Sequence, residues 1–269
     1  MTIVKQSSFH VIKDPVHGTM QFTDREDKWL KPFIDSQHFQ RLRHIKQMGM
    51  TDLVFPGAVH TRFNHSIGCS YVANQISNKI GLDDHSRQCV VLACLLHDIG
   101  HGPFSHTFEG IFLREPIYHE DWTPYFLKSY HEKSFIDLYN AQNPDFPLTQ
   151  GLLSRIEAMI MHKEVDNKLL ADIVSSQLDA DRLDYLLRDS HFCGVSYGEY
   201  DLRWLLHVVT RVKACGEERL GITHKGIGAV EQYLMARRLL MRNIVRHPKK
   251  RAAESLLISL RQSSPSTLA

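Results

Sequence analysis

The segment His97-Asp98-Ile99-Gly100-His101-Gly102-Pro103-Phe104-Ser105-His106 closes an apolar run and carries three imidazoles and a carboxylate. Imidazole and carboxylate together suit a hard or borderline divalent cation, with positions left for water and a substrate. Any one of these residues alone is more often a polar core group with its hydrogen bonds satisfied. His97 and Asp98 gain weight beside His65 and Asp181, because two histidines and two carboxylates complete a mononuclear site or part of a dinuclear one. That set predicts metal-dependent hydrolysis.

Two further groups add to this chemistry. His101, His106 and Glu109 supply imidazoles able to protonate an alkoxide leaving group, and Glu109, three residues after His106, would keep that ring protonated. Arg62, Arg182 and the Arg237, Arg238, Arg242 group, with His131 and His247, form a cationic set. Guanidinium forks match phosphate oxygens, and several converging on one pocket imply more than one phosphate. Arg238, Arg242 and Arg246 read instead as a solvated helix face, and Met48 and Tyr71 as core.

The elements that must position these groups are mostly α-helices, with two small β-hairpins. Turn signals at Asp14-Pro15 and His17-Gly18 predict a hairpin over 9–24, and Phe39, Leu42, Ile45 and Met48 continue a helical pattern over 28–56. A helix over 61–80 uses Phe63, Ile67, Tyr71 and Ile76 as its stripe and brings Arg62 and His65 to one side. Asp83 or Asp84 caps the next, which is apolar all round through Leu96 and so belongs in the centre. After a connector over 115–126 come helices near 131–141 and 150–162. One helix over 168–188 places Asp181, Tyr185 and Asp189 four residues apart on one face. A second hairpin over 208–223, a helix over 228–246 and a last one over 249–261 complete the pattern. The division expected is a hairpin segment (1–25), a helical domain (26–261) and a polar, frayed tail (262–269).

Composition sets broader bounds. The 269 residues suit one large domain, 43% of them are hydrophobic, and the net charge of +2 argues against nucleic acid as the main partner. The five cysteines are odd in number and form no Cys-x-x-Cys pair, which fits free thiols in a reducing compartment. With no secretory signature at the start and no apolar run of membrane-spanning length, the expectation is a cytoplasmic protein.

The residues also resemble a known family. His97-Asp98 with its flanking glycines resembles the HD-domain phosphohydrolases, and the likeness extends to their deoxynucleoside triphosphate triphosphohydrolases. It is carried by Asp14-Pro15-Val16-His17-Gly18, by Phe39 to Gly49, by Phe55 to Gly68, by Leu96 to Gly110 and by Asp179 to Tyr185, all in collinear order. The resemblance implies a helical HD fold, an obligatory divalent metal ion of undetermined identity on His65, His97, Asp98 and Asp181, and a nucleotide substrate. It also implies Arg62, Arg182 and Arg237 on the phosphates, and His101, His106 and His131 as catalytic or phosphate-contacting histidines, with His119 competing for the place of His131. Tyr185 would stack beneath a deoxyribose, and Gln47 and Asp189 would bind its 3′-hydroxyl. The implied reaction is attack of metal-activated water on the α-phosphorus, releasing a deoxynucleoside and intact triphosphate.

Some positions depart from the family pattern. Val245 stands where relatives often carry tyrosine, and Pro248 where they carry a lysine that reaches phosphate. Asp35, Gln40 and Arg43 resemble part of an activator-nucleotide site whose other residues are replaced here by His10 and Lys13. A homo-oligomer, dimer or higher, is the expected assembly. Two readings compete with triphosphate hydrolysis: hydrolysis of nucleoside monophosphates or phosphodiesters, and nucleotide sensing with little turnover.

Overall fold

Asp14 turns the chain back on itself. Its Oδ1 accepts from the backbone N–H groups of Val16 and His17, both at 2.9 Å. The turn joins strand β1 (His10–Asp14) to β2 (Gly18–Phe22), antiparallel, with His10 opposite Phe22 and Asp14 opposite Gly18. This computed structural model describes residues 10–111, 118–163 and 165–263; the remainder of the tail expected over 262–269 lies outside them.

Helix α1 (Asp24–Ile34) starts at a capping box of Thr23 and Glu26. The helical pattern over 28–56 does not give one helix. Ser36 starts a separate turn, α2 (Gln37–Gln40), by accepting from the Phe39 N–H. Short 3-10 turns follow at Arg41–His44 and Thr51–Leu53. Gly49 sits between them at φ +58, and a Cβ there would lie 2.9 Å from the Phe104 carbonyl oxygen.

Helices α3 (Arg62–Lys79) and α4 (Asp84–Leu96) form the centre. Asp83 caps α4 through the Ser86 N–H, and every residue from Gln88 to Leu96 is buried. Around this pair lie α5 (His106–Ile111), α6 (His119–Leu127), α7 (Lys133–Gln142), α8 (Gln150–Ile160), α9 (Lys168–Val174) and α10 (Ala180–Cys193). The helix expected over 168–188 is therefore two. Ser175 leaves α9 with extended backbone, and Asp179 caps α10, its Oδ1 accepting from Arg182 N–H at 2.8 Å and its Oδ2 from Ser176 N–H at 2.9 Å. The break puts Asp181 in the first turn of α10 rather than mid-helix.

The chain continues through α11 (Leu202–Val208) to an antiparallel hairpin of β3 (Val209–Ala214) and β4 (Glu217–Ile222). Helix α12 (Ile227–Leu240) passes into one π-helical turn, Met241–Val245, before α13 (Pro248–Ser263). Among the described residues, no helix is long and apolar enough to cross a membrane.

Leu92, fully buried in the middle of α4, tests this core. Leu92→Ala should cost about 2–5 kcal/mol, read as a lowered urea midpoint with an unchanged slope.

Candidate functional site

Three segments converge where α4 ends. His65 comes from the first turn of α3, His97 and Asp98 from the end of α4, and Asp181 from the start of α10. His65 Nε2 lies 3.0 Å from Asp181 Oδ1 and 3.7 Å from Asp98 Oδ2. His97 Nε2 lies 3.5 Å from Asp98 Oδ1 and 3.6 Å from Asp181 Oδ1. The His97 ring donates from Nδ1 to the Cys94 carbonyl at 2.8 Å, which leaves its Nε2 lone pair facing the cluster, buried and without a hydrogen-bond partner. An orphaned imidazole nitrogen between two carboxylates fits a divalent cation. Cys69 Sγ is also near, but at 3.4 Å from both nitrogens of His65 it sits over the ring face. Burial and the neighbouring carboxylates push its pKa well up, so it packs as a thiol.

The electrostatics favour positive charge at this spot. Burial draws the His65 pKa down, yet its hydrogen bonds to Asp181 and Asp184, with their charges, carry it to about 10. Burial also opposes ionisation of Asp98 and Asp181; Arg62, with His97 and His101, outweighs it for Asp98, and His65 and His97 outweigh it for Asp181.

Behind His65 stands a residue that the sequence reading did not single out. Asp184 is fully buried; its Oδ2 accepts from His65 Nδ1 at 2.7 Å and its Oδ1 pairs with His17 Nε2 at 2.6 Å. Arg188 binds both oxygens, at 2.8 and 2.9 Å, and reaches Asp14 Oδ2 at 2.8 Å. Against the cost of burial, the Arg188 charge holds the Asp184 carboxyl far below its usual range. This carboxylate fixes the tautomer of His65 and aims Nε2 outward. Gly68 makes room, since a Cβ there would lie 2.0 Å from Asp184 Oδ1.

The loop after Asp98 holds the second group under strain. Phe104 and Ser105, neither of them glycine, both adopt positive φ, at 65 and 52. Ser105 Oγ accepts from Arg62 Nε at 3.1 Å and donates to the Lys46 carbonyl at 2.8 Å. Arg41 ties the same loop from below, donating to the carbonyls of Ile99 and His101 at 2.6 and 2.7 Å. His101 is buried 3.3 Å from Asp98 Oδ1, and burial with the Arg62 charge presses its pKa down, keeping the ring neutral. His119 stacks on it, centroids 3.7 Å apart and planes 14° apart. Gly100 permits this approach, because a Cβ there would lie 2.0 Å from the His119 carbonyl oxygen. Glu109 Oε1 joins His119 Nδ1 at 2.8 Å and His106 Nδ1 at 3.1 Å. Both rings hold Glu109 ionised against its burial. His131 is a correction to the sequence reading: it lies outside this cluster, with Nδ1 bonded to Gln150 at 2.6 Å, and His119 occupies the place beside His101.

Both groups open into one pocket of about 500 Å³. Asp181, Tyr185 and Asp189 of α10 line it, as do Gln47, Arg62, Arg182 and Arg237. Arg62 is buried, and each of its three nitrogens has one partner: Asp98 at 2.5 Å, Ser105 at 3.1 Å and the Gln47 carbonyl at 3.4 Å. Arg182 faces Asp179 at 3.4 Å and keeps a buried Nε without a partner. Burial and Asp181 raise Tyr185 to about 12, so it presents a neutral phenol. Asp189 is bonded to His60 at 2.7 Å, and Gln47 Oε1 is buried without a partner. His60 also escaped the sequence reading; it stacks on Phe192, centroids 4.6 Å apart. Arg238, Arg242 and Arg246 are exposed. Val245 and Lys250 reach the pocket wall, where Pro248 only begins α13.

A helical core with a His-Asp pair closing its central helix, completed by a histidine before it and an aspartate after it, defines a class. Residues 62–189 match the family model of the HD domain, and the chain belongs to the HD-domain family. It is similar to the uncharacterized protein YwfO of Bacillus subtilis, 38% identical over 261 residues, covering 95% of this chain and 56% of that protein. It is also similar to the deoxynucleoside triphosphate triphosphohydrolase SAMHD1 of Danio rerio, 28% identical over 283 residues, covering 92% of this chain and 44% of the relative. The crystal structure of a phosphohydrolase from Bacteroides thetaiotaomicron superposes with a TM-score of 0.77 at 33% identity, over 94% of this chain and 58% of that one. The chain thus spans about half the length of the curated relatives it matches.

Asp184→Asn keeps the shape of the carboxylate and removes its charge. Divalent metal affinity, measured by titration of the metal-stripped protein, should fall about 10–100-fold. A metal content and affinity equal to wild type would remove Asp184 from the support of the centre.

Proposed function

We propose that this chain hydrolyses deoxynucleoside triphosphates to a deoxynucleoside and inorganic triphosphate. The observation that carries the reading is the sharing of one pocket by His97, Asp98 and Asp181, with His65 directly behind them, the glutamate-linked histidines His106 and His119, and the Arg182, Arg237 and Tyr185 side chains. A volume of about 500 Å³ suits a nucleotide. The similarity to proteins named deoxynucleoside triphosphate triphosphohydrolase supports the same substrate class.

In this reading His65, His97, Asp98 and Asp181 hold the ion. A divalent ion bound there supplies an acidified water and polarises phosphoryl oxygens. Arg182 and Arg237 bind phosphate oxygens, and Arg62 holds Asp98 in place from the pocket wall. Tyr185 stacks on the deoxyribose, leaving no room for a 2′-hydroxyl, and Gln47 and Asp189 take the 3′-hydroxyl. The bond broken joins the α-phosphorus to the sugar oxygen; the water oxygen ends on that phosphorus. His106, held by Glu109, gives its proton to the departing sugar oxygen. The ring of His119 stacked on His101 keeps the donor side of the site rigid. Free thiols throughout fit a cytoplasmic protein, and we read the working form as a homo-oligomer.

Pure protein incubated with each dNTP and a divalent metal should release deoxynucleoside and tripolyphosphate, and solvent ¹⁸O should appear in the tripolyphosphate. Formation of dNMP and pyrophosphate would overturn the reading. Phosphate released from dNMPs with dNTPs untouched would move the substrate to monophosphates. Nucleotide binding without turnover, equal in wild type and His97→Ala, would point to sensing. Glu109→Gln should lower kcat about 10²-fold with little change in KM.

A further inference from the structure

Four cationic side chains, Arg62, Arg182, Arg237 and Lys250, line the pocket among the described residues. Three are placed by partners in other elements or in the preceding loop: Arg62 by Asp98 and Ser105, Arg182 by Asp179, and Arg237 by the Gln177 side chain at 3.0 Å. Lys250 differs. Its ammonium lies 3.1 Å from Glu254 Oε1 on its own helix and 3.3 Å from the Val245 carbonyl. Glu254 Oε1 also accepts from Thr107 Oγ1 at 3.0 Å, which fastens α13 to α5 beside His106.

We propose that Lys250 and Glu254 are an exchangeable pair: Lys250 leaves Glu254 to bind a phosphate of the substrate's polyphosphate chain, and Glu254 stays on Thr107. The proposal rests on the reading of the pocket as a nucleoside triphosphate site. Lysine placed four residues before glutamate is the weaker order on a helix, which lowers the cost of parting them when a phosphate replaces the carboxylate. An ammonium bound to phosphate makes charge-assisted hydrogen bonds, and its flexible stem allows the swing. Glu254 keeps Lys250 to itself when no phosphate reaches it, so a ligand gains the ammonium only if its phosphate chain extends to α13. Helix α13 thereby reads the length of the phosphate chain.

The test is calorimetric titration of the metal-loaded full chain with inorganic tripolyphosphate and, separately, with a deoxynucleoside monophosphate. Lys250→Met should weaken tripolyphosphate binding about tenfold, and Glu254→Gln should strengthen it several-fold, while the monophosphate binds all forms alike. Lys250→Arg should restore binding to near wild type, which separates lost charge from a damaged helix. With dNTP as substrate, Lys250→Met should raise KM and leave kcat within about twofold. Tripolyphosphate affinities unchanged in both variants, or monophosphate affinities changed equally, would overturn the exchange and leave the pocket's assignment intact. A wild-type protein that holds its metal yet binds neither tripolyphosphate nor dNTP would refute the pocket's assignment and the exchange together.

Discussion

The arrangement depends on a carboxylate that never meets solvent. Asp184 shares its two oxygens among His17 of the first hairpin, His65 of α3 and Arg188 of its own helix, and Arg188 returns to Asp14 at the hairpin turn. Burying such a charge is costly unless each lone pair is used, and breaking one partner leaves the others stranded. The N-terminal hairpin is therefore part of the centre despite contributing no ligand. Gly68 belongs to the same constraint, since any side chain there would take the space of the carboxylate.

Helix α10 divides its work between neighbouring stripes. Asp181, Tyr185 and Asp189, four apart, face the pocket, while Asp184 and Arg188, offset by three positions, face α3. The same geometry that gives the helix a chemical face gives it a supporting one. Because Asp179 caps a new helix that begins at Ala180, Asp181 stands in its first turn. Asp179 itself is raised to about 7 by burial and by the charge of Asp181, although Arg182 and two backbone N–H groups bind it.

Much of this was legible in residue types and spacing. The apolar run ending in His97-Asp98, the Asp83 cap and the four-residue steps on α10 require only helix periodicity. The break between α9 and α10 was hidden because Leu169, Leu170, Ile173, Val174 and Leu178 keep helical spacing across it; Asp179 as a cap was the signal available. The segment 28–56 misled for the same reason: Phe39, Leu42, Ile45 and Met48 are all buried, yet from separate short turns. Asp184 and Arg188 carry a readable i,i+4 spacing, but their partners His17 and Asp14 lie more than 160 positions away.

His119 shows what sequence spacing leaves out. Its place depends on how closely α6 can approach the turn after Asp98, and that is decided by the missing side chain of Gly100. His131 is only twelve positions on, but it lies one helix further along and bonds to Gln150 at the surface. The strained pair Phe104 and Ser105 then leads into α5, where the His106 ring lies 5.0 Å from that of His101 and 5.4 Å from that of His119. Backbone held in so unfavourable a conformation survives because Arg41, Arg62 and Lys46 fix the loop at several points. In the proposed reaction, the anchoring of this turn would hold His106 at a fixed separation from His97, Asp98 and Asp181.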